Sequence, residues 1–398
     1  MPFENFNPLP HLNKYAHFED LVSKQDREEI ENLCRKVREI WMSEPMTPMQ
    51  RAVGAMMGTD IDRVPYNPVL PKIIGMRKIG CDYEKLYMDP VAHVKANLIT
   101  ALECKADSVQ GYLPIDMNLS DVFGTKWKFL PNTLPVVTEW GVKRGFEDIL
   151  ENPVPDPRES QALKWQLETQ RFLTERLGDL STCGVSFILG PYYQYNSCLR
   201  GPVEGFADIK KHPDLAVEAF DKLYDYLVDL AKYFIEQTQM PACIIIDSLA
   251  SPSFTSPAWF QKYCAPYNRR LLADVPAMWT ISGGGQGKTD FTPLLETYAE
   301  MGYGSFMFGP PTDLNKMKQI SNEKGTTIMH WALTQEMLHW YTPKEIEERV
   351  KECIKIGAPG GKYILSTDVP DDETPLENFI AVRKACLKYG KYPLSFDD

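Results

Sequence analysis

The sequence predicts an α/β protein built as a closed parallel barrel of the (β/α)8 kind, on three observations. Short apolar, strand-like runs recur seven times after about residue 105, helical periods separate them, and proline or hydroxyl residues mark the helix starts. The strand candidates are SVQGYLPID (108–116), VSFILGP (185–191), ACIIIDSL (242–249), AMWTIS (277–282), GSFMFGP (304–310), TTIMHWAL (326–333) and KYILSTD (362–368). Parallel strands need crossover connections that cover the sheet, and the intervening helical stretches supply them.

The helices follow from spacing and caps. Residues 23–45 place Ile30, Leu33, Val37 and Ile40 on one face, with Lys, Arg and Glu elsewhere. No strand lies beside this helix, so residues 1–45 read as an N-terminal helical extension and 46–398 as the barrel. Pro213 opens a long helix that aligns Ala216, Phe220, Leu223, Leu227, Leu230 and Phe234. Ser256-Pro257, Thr342-Pro343-Lys344-Glu345 and Thr374-Pro375-Leu376-Glu377 each offer a hydroxyl N-cap, the last two with a capping-box Glu. An open dinucleotide-binding sheet would carry G-x-G-x-x-G after its first strand. The glycine run Gly283-Gly284-Gly285-Gln286-Gly287-Lys288-Thr289 instead follows a middle strand and lacks P-loop spacing.

Composition excludes several classes. The chain has 398 residues, 43% of them apolar, and a formal net charge of −11, which disfavours nucleic acid as a partner. No apolar run approaches the ~20 residues of a spanning helix. The amino terminus has no basic start followed by an apolar stretch. Nine scattered cysteines without a Cys-x-x-Cys pair suit reduced thiols. A cytoplasmic protein without membrane contact is expected, and its oligomeric state is left open.

In a parallel barrel the chemistry lies where strands end and βα loops begin. Those ends carry Asp116, Tyr192 and Tyr193, Asp247 and Ser248, Thr280 and Ser282, His330, and Asp368. Asp247 follows Cys243-Ile244-Ile245-Ile246 directly, so its carboxylate is expected at the mouth as an acid–base group, with His330 in the same role. Each also has a structural alternative: Asp as a loop former, His as a buried hydrogen-bonder. Gly284 and Gly285 are expected to expose backbone donors to a ligand or to form a lid.

These residues and their order resemble the uroporphyrinogen decarboxylase superfamily, over about residues 45–392. The resemblance rests on Asp62-Arg63-Val64-Pro65 with Pro68, His212-Pro213-Asp214, IIIDSLASPSFTSPAWFQKYCAPYNRRL and ILSTDVPDDETPLENFIAV. It implies a TIM barrel and includes corrinoid-dependent methyltransferases. Two departures narrow the expectation. The decarboxylases' arginine-rich M-R-Q-A-G-R-Y segment is replaced by Pro65-Tyr66-Asn67-Pro68-Val69-Leu70. The zinc-dependent branch's H-x-C-G and late Cys are replaced by Thr280-Ile281-Ser282-Gly283 and Thr367-Asp368-Val369. Zinc is therefore not expected at the usual family site. A different, harder metal site built from Asp247, His330 and Asp368 is the alternative.

The resemblance then implies a methyltransferase that moves methyl from a small methoxy, methylamine or related donor to the cobalt of a separate corrinoid protein. The chain has no Asp-x-His-x-x-Gly corrinoid signature of its own. Asp247, His330 and Asp116 are the expected catalytic groups, with Tyr192, Tyr193, Ser248, Thr280, Ser282, Gly284, Gly285 and Asp368 binding substrate. The alternatives are a decarboxylase or lyase acting on a carboxylated ring through Asp116, Tyr192 and Ser248, and a non-catalytic ligand-binding barrel.

Overall fold

A computed structural model of the chain describes residue 3 and residues 7–68, 72–109, 115–283 and 289–396. An antiparallel hairpin, β1 (Lys126–Leu130) and β2 (Thr133–Glu139), precedes the main sheet. Six parallel strands then lie side by side in chain order. They are β3 (Ser186–Leu189), β4 (Ala242–Ile246), β5 (Met278–Ser282), β6 (Ser305–Phe308), β7 (Thr327–Trp331) and β8 (Tyr363–Ser366). They coincide with six of the seven runs expected from sequence.

Two extended segments carry the sheet on past β8. Leu365 donates its N–H to the Pro65 carbonyl (2.9 Å) and Asn67 donates to the Leu365 carbonyl (2.8 Å), which sets residues 64–67 parallel to β8. Asp107 N–H donates to the Tyr66 carbonyl (2.9 Å), adding residues 106–109. With these two, eight strand positions follow one another, the arrangement of a TIM-type barrel. The run expected as a strand over 108–116 departs from this. Its described part leaves the extended segment at Val109 and resumes as the short helix Ile115–Asn118, so Asp116 is carried by a helix.

Register decides what faces the barrel axis, because residues paired across a parallel ladder share a face. Ile246, Ser282 and Met307 pair in a row, as do Ile244, Thr280 and Ser305. Met307 continues to Met329 and Ile364. Ile244, Met307, Met329, Trp331 and Ile364 form one cluster with Ala55, against which Met56 and Ile61 pack. This is the barrel interior, plugged at its amino-terminal end by residues 55–61. Lys362 Nζ, reaching the Met56 carbonyl (2.9 Å), ties that plug to the start of β8. The alternate residues, such as Ile245, Ile281, Phe306, Phe308 and Leu365, join the large cluster shared with the surrounding helices.

Most helix starts follow the sequence. Ser23 caps Lys24–Met42, Ser256 caps Pro257–Tyr263, and Thr342 with Glu345 forms a full capping box on Pro343–Gly357. Thr374 does not cap. Helix Leu376–Tyr389 begins after Pro375 without a side-chain cap, and the Thr374 hydroxyl donates to Asp371 Oδ1 (2.9 Å). Ile30, Leu33 and Val37 bury helix Lys24–Met42 in a second cluster with Val94, Leu98 and Phe172 of helices Pro90–Cys104 and Gln161–Leu177. The extension thus lies outside the barrel's helix layer.

The Asp62-Arg63-Val64-Pro65 motif has a structural explanation. Arg63 donates to both oxygens of Asp107 (2.6 and 2.7 Å) and to Glu44 (2.5 Å). Arg51, fully buried, holds Asp62 through Nε and Nη2 (2.7 and 2.8 Å). Burial alone would raise the Asp107 carboxyl, but Arg63 holds it below the usual range. Buried charges survive only when paired in this way. The network fastens the extended segments 64–67 and 106–109 together.

Candidate functional site at the carboxyl-terminal mouth

Asp116, Tyr193 and Ser248 meet at the mouth. Tyr193, in the short helix Pro191–Gln194 after β3, lies within hydrogen-bonding reach of Ser248 and Ser197. Ser248 begins the loop after β4. Asp116 raises the Tyr193 phenol through its charge, after burial, to about 12. The Asp116 side chain remains open to solvent, yet protein surrounds it closely enough to push its carboxyl up to about 6. Such a group keeps only a minor protonated fraction at neutrality, but far more than an ordinary carboxyl would, which suits an acid donor.

Thr280 and Ser282 line the barrel interior below these groups. Both are buried, and the Thr280 hydroxyl shares a hydrogen bond with Ser305. Gly283 follows. A Cβ there would sit 2.5 Å from the Phe291 ring, so the first glycine of the run is required by close packing. Gly284 and Gly285 lie outside the described residues. Asp368 is buried after β8, and its Oδ1 accepts the N–H of Val369 (2.7 Å).

The remaining expected residues are placed elsewhere. Asp247 was expected at the mouth, but its carboxylate turns outward to the helix layer. There it accepts from Asn268 Nδ2 (3.1 Å) and the Tyr298 hydroxyl (3.4 Å), on helices Ala265–Asp274 and Leu295–Met301. Burial pushes its carboxyl up to about 7, with those two hydrogen bonds opposing. His330 pairs in register with Phe308 and Leu365 and faces outward as they do. Its Nδ1 is 3.1 Å from the Tyr363 hydroxyl, and Nε2 has no partner among the described residues. Burial, with Arg349 adding to it, pushes its imidazole down to about 3, so the ring is neutral. Tyr192 likewise packs outward, edge-on to Phe206 and Phe220.

A grouping of Asp247, His330 and Asp368 as a metal site finds no geometric support. Asp247 and His330 leave the barrel axis, and among the described residues no three His, Cys, Asp or Glu side chains converge as ligands. Thr280 and Ser282 hydroxyls are poor zinc donors. The donor set does not fit the zinc of the thiol-methyltransferase branch.

Sequence reasoning missed Lys72, Tyr83 and Tyr87. Lys72 is buried, with its Nζ 4.9 Å from the centre of the Tyr87 ring. Tyr87 feels the charge of Asp116, so it adjoins the mouth. The available signal was a single Lys in the apolar run Val69-Leu70-Pro71-Lys72-Ile73-Ile74. A charge there either reaches solvent or serves a site.

Parallel strands, an interior plugged at one end and polar groups gathered at the other define an α/β barrel of the ligand-binding and catalytic type. Residues 47–389 match the family described as uroporphyrinogen decarboxylase (URO-D). The chain belongs to that family. No curated protein sequence matches it. Among solved structures it is similar to a methyltransferase from Methanosarcina mazei, with 19% identity and a TM-score of 0.74 over 86% of this chain and 99% of that one. A B12-independent methionine synthase from Shewanella sp. W3-18-1, in complex with selenomethionine, is 11% identical at a TM-score of 0.39. That likeness covers 66% of this chain and 71% of the synthase. The first of these likenesses reports a shared fold. No helix among the described residues is long and apolar enough to cross a membrane.

Proposed function

We propose that this protein is a methyltransferase that moves a methyl group from a small methoxy, methylamine or related donor to the cobalt of a separate corrinoid protein. The observation that carries the reading is Asp116: an acid with its carboxyl raised to about 6, set at the mouth beside Tyr193 and Ser248. Trp331, Met307, Met329 and Ile364 line the barrel below it. Such walls suit a small donor better than a ring bearing many carboxylates.

The chemistry balances without a resident metal. A reduced corrinoid brought by a partner would supply the electron pair that displaces the heteroatom from the methyl carbon. The pair of the broken carbon–heteroatom bond stays on the departing oxygen or nitrogen. Asp116 supplies the proton that neutralises it, leaving a carboxylate that recovers its proton from solvent through the open mouth. Tyr193 and Ser248 orient the heteroatom by hydrogen bonds. The likeness in fold to a methyltransferase supports the reading, as does replacement of the decarboxylases' arginine segment. The test mixes the purified protein with a reduced corrinoid protein and a panel of donors. A spectral change to methyl-Co(III) is expected. No change across the panel, with coproporphyrinogen formed from uroporphyrinogen, would establish the decarboxylase alternative instead.

A further inference from the structure

A cavity of about 270 Å³ opens beside the mouth, between helix Tyr83–Met88, the β1–β2 hairpin and the loop after β8. Leu86, Tyr83, Tyr87 and Leu134 give it flat apolar walls, and Val369-Pro370 closes one side. Among the described residues one cation lines it, Lys72. Lys72 is 4% exposed, and its Nζ has no hydrogen-bond partner among the described residues, only the Tyr87 ring. A buried ammonium without an acceptor is costly, and an apolar residue would fill the same wall without that cost.

We propose that this cavity binds a small organic monocarboxylate with a flat apolar body, its carboxylate paired with Lys72. A single lysine among phenyl and leucyl walls matches one negative charge. A phosphate dianion would want several donors or a guanidinium fork, which the lining does not offer. The opposing carboxylates are accounted for: Asp371 is engaged by His339 Nδ1 (2.8 Å) and the Thr374 hydroxyl (2.9 Å), and Asp372 is exposed. The site stands whether or not methyl transfer is the reaction.

Burial disfavours the charged amine and pushes Lys72 down to about 7. A bound carboxylate restores the charge, so binding above that pH takes up a proton. Of the other groups near Lys72, burial pushes the Tyr83 phenol up to about 12 and the Tyr87 phenol higher, while Asp116, whose charge reaches Tyr87, is pushed up to about 6 and so titrates only at the lower edge of the range from pH 6 to pH 9. Benzoate is the probe, measured by calorimetry on the full chain. Its affinity is expected to fall by about 100-fold from pH 6 to pH 9, one decade per unit above the lysine pKa. Benzamide, the neutral isostere, should not bind. Lys72→Met should lose benzoate at least about tenfold while folding normally, since it removes an unpaired buried amine. Lys72→Arg, permanently charged, should keep binding and flatten its pH dependence. Benzamide binding as well as benzoate, Lys72→Met retaining affinity, or an unchanged pH slope in Lys72→Arg would each overturn the assignment.

Discussion

Replacing Asp247 by Asn separates a structural carboxyl from a catalytic one. In the folded chain burial pushes this carboxyl up to about 7 from an ordinary 3.8. A raised folded pKa means the native state holds its proton more tightly than the unfolded chain. The stability this provides is full below pH 3.8 and lost as pH rises through about 7. Across both values the difference is worth about 4 kcal/mol, of which roughly 3 kcal/mol is lost between pH 5 and pH 8. Asn keeps the shape and the acceptor for Asn268 and Tyr298 but never ionises. Its NH2 can also serve the Asn268 Oδ1, which has no partner among the described residues. Asp247→Asn should therefore gain on the wild type between pH 5 and pH 8 by that amount. With an unfolding entropy of roughly 2.1 cal/mol/K per residue, the gain corresponds to about 3 to 4 °C in Tm. Thermal melts at the two pH values, scanned at one rate, read the difference, and methyl transfer at pH 7 should survive. A variant equally destabilised at both pH values, or one that folds normally and is inactive, would refute the assignment and return Asp247 to the catalytic set.

Asp116→Asn should lower kcat by roughly 10²- to 10⁴-fold with an unchanged melt. Wild-type activity should fall as pH rises through about 6, because the acid must be protonated, and the variant's residual rate should be flat there. Asp107→Ala leaves Arg63 and Arg51 without their buried partner and should cost about 3–5 kcal/mol in urea unfolding; a loss under about 1 kcal/mol would mean solvent reaches the pair. Elemental analysis should find well under one zinc per chain, and a stoichiometric metal would contradict the reading of Thr280 and Ser282. Alanine at both Gly284 and Gly285 should impair turnover more than stability if that loop contacts substrate or the corrinoid partner; unchanged kinetics would show the glycines to be spacer.

Strands β3 to β8 were legible because each is an apolar run bounded by Gly, Pro or Asp, and the long helix from Pro213 because its period and its proline agree. The segment 64–67 was not, and of 106–109 only the last two residues fell within an expected run. They are short, and what makes them part of the sheet is the ion-pair network of Arg51, Arg63 and Asp107, which joins positions far apart in sequence. The β1–β2 hairpin was missed because its turn, Pro131-Asn132, lacks the Asn-Gly or Asp-Gly signal and its residues are half-exposed on both faces. Thr374 carried a capping-box pattern, but Asp371 three residues earlier captured its hydroxyl.

The site was half legible, and the reason lies in the sheet itself. A barrel strand is buried on both faces, so its sequence does not alternate between polar and apolar as a half-exposed strand does. Asp247 and His330 therefore look like mouth residues when only their nearness to a strand's end is read. Register settles the matter. Ile246 pairs with Ser282 and points inward, so the next residue, Asp247, points outward, while Ser248 returns to the mouth. His330 sits between Met329 and Trp331, both interior, and must face the helices. The same parity puts Thr280 and Ser282 inside. Tyr192 and Tyr193 divide through the turn of helix Pro191–Gln194 rather than by strand parity, one to the helix layer and one to the mouth. A polar residue at a strand end is thus a site candidate only once its parity against a known interior neighbour is fixed. By that test Ser248 remains at the mouth; Asp116 and Tyr193 reach it from short helices, where strand parity does not apply, and Lys72 enters from a segment that no strand-end reading would have included.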